Sequence, residues 1–145
     1  MKPIHQTLKK MNENFAVFFQ PVDPVKAQQA SVSLVKMGLP KIPKDYLDFL
    51  AETDGIAFNG LELYGIADHE RNKGAFFHFS LIKSYETRLD HKILKDKLVI
   101  GSAPEVLIAY NAVEKKYELI NRVDYRTLLK LPRFFDVLYY FAPEK

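Results

Sequence analysis

Asp45, Asp48 and Glu52 recur three and four residues apart, which lines them along one stripe if the segment is helical. Such a stripe can support acid–base chemistry where burial raises a carboxyl pKa, or it can present anions to a cationic partner. Tyr46, Leu47, Phe49 and Leu50 take the opposite, apolar side of that helix, so the carboxylates face water. Water is a poor place to raise a pKa, and the chemistry to expect is recognition of a basic protein surface. Asp54 and Glu62 extend the same acidic patch. A merely solvated helix face produces the same spacing.

Other residue types capable of chemistry are scattered. His5, His69, His78 and His91 are far apart in the chain. Asp68-His69-Glu70 is the one cluster that resembles a metal site, but no second histidine or carboxylate follows at three or four residues, as a ligand motif requires. It reads as an exposed polar turn. His78 sits in an Ala-Phe-Phe-His-Phe run and reads as a hydrogen-bonded strand residue rather than a catalytic base. Gly55, Gly60 and Gly65 fall at turns and strand ends, not in a phosphate-cradling GxGxxG loop. None of Ser31, Ser33, Ser80, Ser84 and Ser102 lies in a nucleophile elbow. With no cysteine in the chain, thiolate metal sites, disulfides and cysteine nucleophiles are excluded. The expectation is a protein without catalytic residues, cofactor or metal.

Composition points to an ordinary globular domain. The 145 residues are 48% hydrophobic and 27% charged, with eleven Phe, eight Tyr and no Trp, enough for one aromatic-rich core and a single domain over 1–145. The net charge of +3 comes from 21 basic against 18 acidic residues, spread along the chain, which gives nucleic-acid binding little support. The 83–97 segment has five basic and three acidic residues and reads as a solvated region first. The opening MKPIHQTLKKMNENF has charged and polar residues where a signal peptide needs an apolar run, and no stretch reaches membrane-spanning length. These features predict a cytoplasmic protein with no membrane role.

The elements that must carry these side chains follow from periodicity. Ile4, Leu8, Met11, Phe15, Phe18 and Phe19 form one face of a first helix over 4–19. Asp23-Pro24 caps a second helix, buried through Ala27, Ala30, Leu34 and Met37 and closed by Gly38. These two helices are expected to form an antiparallel pair. A third runs from about 43 to 53 and stops at Gly55. Residues 56–59 read as a connector, and Asn59-Gly60 as a turn. Strands follow at 61–66 and 75–79, joined as a hairpin across the polar 68–74 loop. Three more strands are expected at 98–100, stopped by Gly101, and at 106–110 and 117–120. The 81–96 segment reads as a short helix or irregular chain. Asp124 caps a short helix to Leu129, and Pro132 opens a last one with Phe134, Val137, Leu138 and Phe141 inward. The sum is an α+β domain, a mainly antiparallel sheet of about five short strands with helices on one side.

Over residues 39–65 the chain resembles the SUKH superfamily, in particular its Smi/Knr-like branch. The matching residues are Leu39, Pro40, Tyr46, Phe49, Leu50, Gly55, Leu63, Tyr64 and Gly65. A second block is similar too: Leu98-Val99-Ile100-Gly101, then the 107–110 strand. Where many members have Asn-Gly or Gly-Gly after the central helix, this chain has Asp54-Gly55. The resemblance implies a non-enzymatic binding domain. Bacterial members look like immunity proteins that neutralise a toxin, and fungal members like scaffolds in cell-wall regulation. No active site carries over, because the shared residues are structural. The expected partner is a protein, foremost a cognate toxin domain. The alternatives are a regulatory scaffold for endogenous partners and a small-molecule binder or hydrolase using a pocket near Tyr64 and His78.

Overall fold

The computed structural model describes residues 3–71, 76–87, 94 and 96–143. The elements run α1 (Pro3–Glu13), β1 (Val17–Phe18), α2 (Pro24–Lys36), α3 (Lys44–Leu50), β2 (Ile56–Phe58), β3 (Leu61–Leu63), β4 (His69–Arg71), β5 (Phe76–His78), α4 (Leu81–Thr87), β6 (Lys97–Ala103), β7 (Val106–Asn111), β8 (Lys116–Asn121), β9 (Thr127–Leu131) and α5 (Phe134–Phe141). Seven strands form one antiparallel sheet in the order β1-β2-β3-β6-β7-β8-β9, and β4 and β5 pair separately. The α+β class holds, with two more strands in the main sheet than the five expected.

Two helices end in the same hydrogen-bond pattern with different residues. In α2 the Leu39 N–H reaches Leu34 O and the Gly38 N–H reaches Val35 O, a Schellman stop with glycine at φ +86°. In α1 the Ala16 N–H reaches Met11 O and the Phe15 N–H reaches Asn12 O. The left-handed position there is Phe15, at φ +68°. The first helix therefore stops at Glu13 instead of continuing to residue 19. Phe15 turns out to solvent, and Val17–Phe18 becomes an edge strand on β2. With β1 between them, α1 and α2 are not a simple hairpin, and α1 packs on α5.

The expected connector at 56–59 is β2, joined to β3 by a two-residue turn with Asn59 at φ +48° and Gly60 at +83°. Those angles match the type I′ turn that the strand twist prefers. β3 then pairs with β6, whereas the 75–79 strand pairs with β4. The polar 68–74 loop thus contains a strand, and residues 72–74 lie outside the described residues. Gly101 does not stop β6. The strand runs through it with a bulge between Val99 and Gly101, and a Cβ there would lie 2.3 Å from Glu62 O. Its role is to let β3 approach closely. The helix expected after Asp124 is instead β9, since pairing to β8 outweighs local propensity. Of the uncertain 81–96 segment, α4 is helical and lies against β6. Residues 88–93 and 95 lie outside the described residues.

Tyr46, Phe49, Tyr117 and Phe134 form the aromatic centre, all essentially buried. Phe134 stands edge-on to Tyr46 at 4.9 Å and lies 4.8 Å from Phe49 and 5.8 Å from Tyr117. Such ring pairs each add about 0.5–1.5 kcal/mol beyond the area they bury. They bind α3 and α5 to one face of β8. On the opposite face, Val99, Ala109 and Ile120 are equally buried, so the central strands are covered on both faces rather than on one.

Candidate functional site

The acidic stripe divides into residues with different jobs. Asp45 sits in the first turn of α3, but its carboxylate is engaged inward: Oδ1 accepts the Tyr117 hydroxyl at 2.5 Å and Oδ2 accepts the Phe134 N–H at 2.8 Å. Phe134 is the first residue of α5, where an anion satisfies an orphan N–H and complements the helix dipole. Asp48 stays in water and accepts the Lys44 ammonium at 3.1 Å, one turn away. Glu52 accepts from His5 of α1 at 3.0 Å.

Asp54 is not on the surface. It is fully buried, and its carboxylate accepts the N–H groups of Ile66 at 2.7 Å and Ala67 at 3.0 Å, and the His69 Nε2 proton at 2.7 Å. Asp54 therefore does not extend the acidic patch. It is the knot that ties the end of α3 to the exit of β3. One carboxylate accepts from all three donors, as its two oxygens allow. Glu62 is half-buried on β3, between Ala57 and Ser102 on the neighbouring strands, near the exposed Phe15. The five carboxylates do not share one surface.

Two histidines, His69 and His78, are structural as well. His69 stacks on Phe19 at 4.6 Å, and His78 also stacks on Phe19, at 4.5 Å. His78 is fully buried and its Nε2 donates to Leu63 O at 2.6 Å. Asp68 of the Asp-His-Glu turn accepts the Ser80 N–H at 2.7 Å. Among the described residues, no group of three or more His, Asp or Glu side chains could hold a metal ion. Tyr64 is buried and its hydroxyl reaches Ser102 Oγ at 3.2 Å.

The signature residues interlock. Tyr46 donates its hydroxyl to Tyr64 O at 2.5 Å. Burial, with the Asp54 carboxylate and the Tyr64 phenol adding to it, pushes the Tyr46 phenol well above its usual range. A Cβ on Gly65 would lie 2.3 Å from Asp54 O, and one on Gly55, at φ +97°, 2.3 Å from Leu63 O. Glycine at both positions is what lets α3, Asp54 and β3 meet.

One further polar cluster escaped the sequence. Glu118 is almost fully buried on β8 and accepts Lys97 Nζ at 2.5 Å and Asn111 Nδ2 at 3.0 Å. Burial pushes its carboxyl up, but the hydrogen bonds from Lys97 and Asn111 and the nearby ammonium charges outweigh it and hold the group below its usual value. The three residues lie on three adjacent strands, and no short motif reveals that.

No protein-family model matches the chain, and no curated protein matches it. No helix among the described residues is long and apolar enough to cross a membrane.

Proposed function

We propose that this chain is a non-enzymatic protein-binding domain of the SUKH type, an immunity protein that neutralises a bacterial toxin domain by occupying it one to one in the cytoplasm. The observation that carries the reading is how the signature is spent. Leu39, Tyr46, Phe49, Leu50, Gly55, Leu63, Tyr64 and Gly65 are all buried in one interlocked unit, as a scaffold signature requires. The polar groups around it also favour binding over turnover. Asp45, Asp54, His69, His78 and Glu118 hold elements together, and each is hydrogen-bonded within the fold.

On this reading the acidic contribution to recognition comes from Asp48 and Glu52, whose outer positions leave them accessible. The test is co-expression with any toxin encoded beside this gene. Growth rescue and a one-to-one complex are expected. Asp48→Lys with Glu52→Lys should weaken that complex about tenfold and reduce its salt dependence. A complex indifferent to both changes removes the acidic contribution. Failure to rescue growth against any neighbouring toxin favours a scaffold for endogenous partners.

A further inference from the structure

Among the described residues, four acidic residues are buried or half-buried: Asp54, Glu62, Glu118 and Asp136. Three are satisfied inside the fold, Asp54 by its three donors, Glu118 by Lys97 and Asn111, and Asp136 by Arg133. Glu62 is the exception. It has no hydrogen bond or ion pair with a described residue. Its neighbours across the sheet explain why. Ala57 on β2 and Ser102 on β6 stand directly opposite it, where a strand carboxylate gains most from a countercharge. Alanine offers no polar side-chain atom, and the Ser102 oxygen is turned to the Tyr64 hydroxyl at 3.2 Å. Arg122, whose Nη1 reaches Ala103 O at 3.1 Å, does not pair with Glu62 either. The carboxylate lines an open groove of about 350 Å³ together with Phe15, Val17 and Ala57, and no other charged residue lines it among those described. Val17, Ala57 and Glu62 are partners across β1, β2 and β3, so they share one face of the sheet. Phe15 is the aromatic wall. Its ring is 93% exposed, and its backbone, at φ +68°, is in the left-handed region that disfavours a side chain. The ring gains no burial from folding, and strain of this kind concentrates where a ligand is met.

We propose that this groove takes an arginine side chain of the protein partner, its guanidinium paired with Glu62 and laid against the Phe15 ring. Charge and shape choose the occupant together. An unpaired, half-buried carboxylate calls for a cation that brings its own hydrogen-bond donors. A metal ion would need further oxygen ligands, and no group of three His, Asp or Glu lies there among the described residues. Lysine supplies a point charge, whereas the planar fork of arginine engages both carboxylate oxygens and stacks on an aromatic face. The inference rests on the reading of the chain as a protein-binding domain and deepens it, adding a contact apart from Asp48 and Glu52.

The test titrates the full chain with N-acetyl-arginine amide and with its citrulline and lysine analogues, followed by amide NMR shifts. The arginine probe should give saturable shifts centred on Phe15, Ala57 and Glu62. Citrulline, the same shape without the charge, should bind about tenfold more weakly, and lysine about threefold. Glu62→Gln should erase the advantage of arginine over citrulline, and Phe15→Ala its advantage over lysine. The urea midpoint of Glu62→Gln should stay in place, because the side chain bonds to nothing in the fold. Equal binding of arginine and citrulline, shifts centred on Asp48 and Glu52, or an advantage that survives Glu62→Gln overturns the proposal. So does a lowered urea midpoint, which would make the carboxylate a structural group. A wild-type dimer in sedimentation that Glu62→Gln converts to monomer overturns it as well, because a second copy then fills the groove. In the co-expression assay Glu62→Arg should weaken the complex with a rescuing toxin about tenfold. A complex of unchanged affinity overturns the proposal and leaves the immunity reading standing. Absent rescue by the wild type removes the immunity reading, and the arginine titration then decides the groove on its own.

Discussion

Asp45 on α3 and Tyr117 on β8, 72 positions apart in the chain, share a hydrogen bond of 2.5 Å. The second carboxylate oxygen of Asp45 takes the first N–H of α5. One side chain therefore fastens the central helix to the sheet and to the last helix at once. Asp45→Ala leaves a phenol and a helix-start N–H without this acceptor and should cost about 2–4 kcal/mol in urea unfolding. Tyr117→Phe should cost about 1 kcal/mol. The double mutant should be less destabilised than the sum, because the two changes remove one shared bond. Additive losses would show that the contact contributes nothing of its own.

Alkaline pH should unfold this domain through its tyrosines. Tyr117 is raised by burial first and then by its hydrogen bond to the Asp45 carboxylate, and Tyr46 is raised by burial above its ordinary 10.0. Both phenols stay protonated in the native state at a pH where the unfolded chain releases them. Their contribution is whole below about pH 10 and declines above it, as the unfolded state gains charge. Absorbance at the phenolate band should therefore rise in two steps, the second coinciding with loss of circular dichroism. A single smooth titration with the fold intact contradicts this.

The Lys97–Glu118 pair predicts an asymmetry. Lys97→Met strands a buried anion and should destabilise by about 3–5 kcal/mol. Glu118→Gln leaves only the partly exposed ammonium and should cost less. Because the Glu118 carboxyl is held below its usual value, its contribution is present above about pH 4.5 and is lost as pH falls through the lower native value. Lys97→Met should shift acid unfolding to higher pH. Equal costs for the two substitutions would argue that the pair is more open to water than its burial implies.

Phe15 offers a stabilising change. It is 93% exposed and holds the left-handed position that glycine fills at the end of α2. A non-glycine residue there costs about 1–2 kcal/mol. Glycine relieves this strain but adds freedom to the unfolded chain, so Phe15→Gly should raise stability by about 0.5–1 kcal/mol. A lower melting temperature would mean that the ring contributes to the native state. Should partner affinity fall while stability rises, Phe15 is a contact.

Much of the secondary structure was legible. Asp23-Pro24 and Gly38 bound α2, Asn59-Gly60 makes a tight turn, and Pro132 precedes α5 with Phe134, Val137 and Leu138 buried. These signals are local and act through a few dihedral angles or one cap. The errors have a common origin. Phe15 gave no sign of a helix stop because its sequence carries no glycine there. β9 looked helical because Asp124 is a good cap for either structure. Here its carboxylate accepts the Arg126 N–H at 3.0 Å within a strand-joining turn.

The candidate site divides along the same line. Spacing alone put Asp45, Asp48 and Glu52 on one side of a helix, and the structure keeps Asp48 on the outer side of α3 and Glu52 two residues past its end at Leu50. Spacing could not say that Asp45 meets Tyr117, that Asp54 is buried under three donors, or that Lys97 neutralises Glu118. A carboxylate carries the same local signal whether water or a distant N–H completes its hydrogen bonds. The exposure of Val25, Val32 and Val35 on α2 is likewise set by how that helix packs. Caps, turns and periodicity are written in neighbouring residues. Which polar group is satisfied inside, and which apolar one stays exposed, is decided by contacts between elements far apart in the chain.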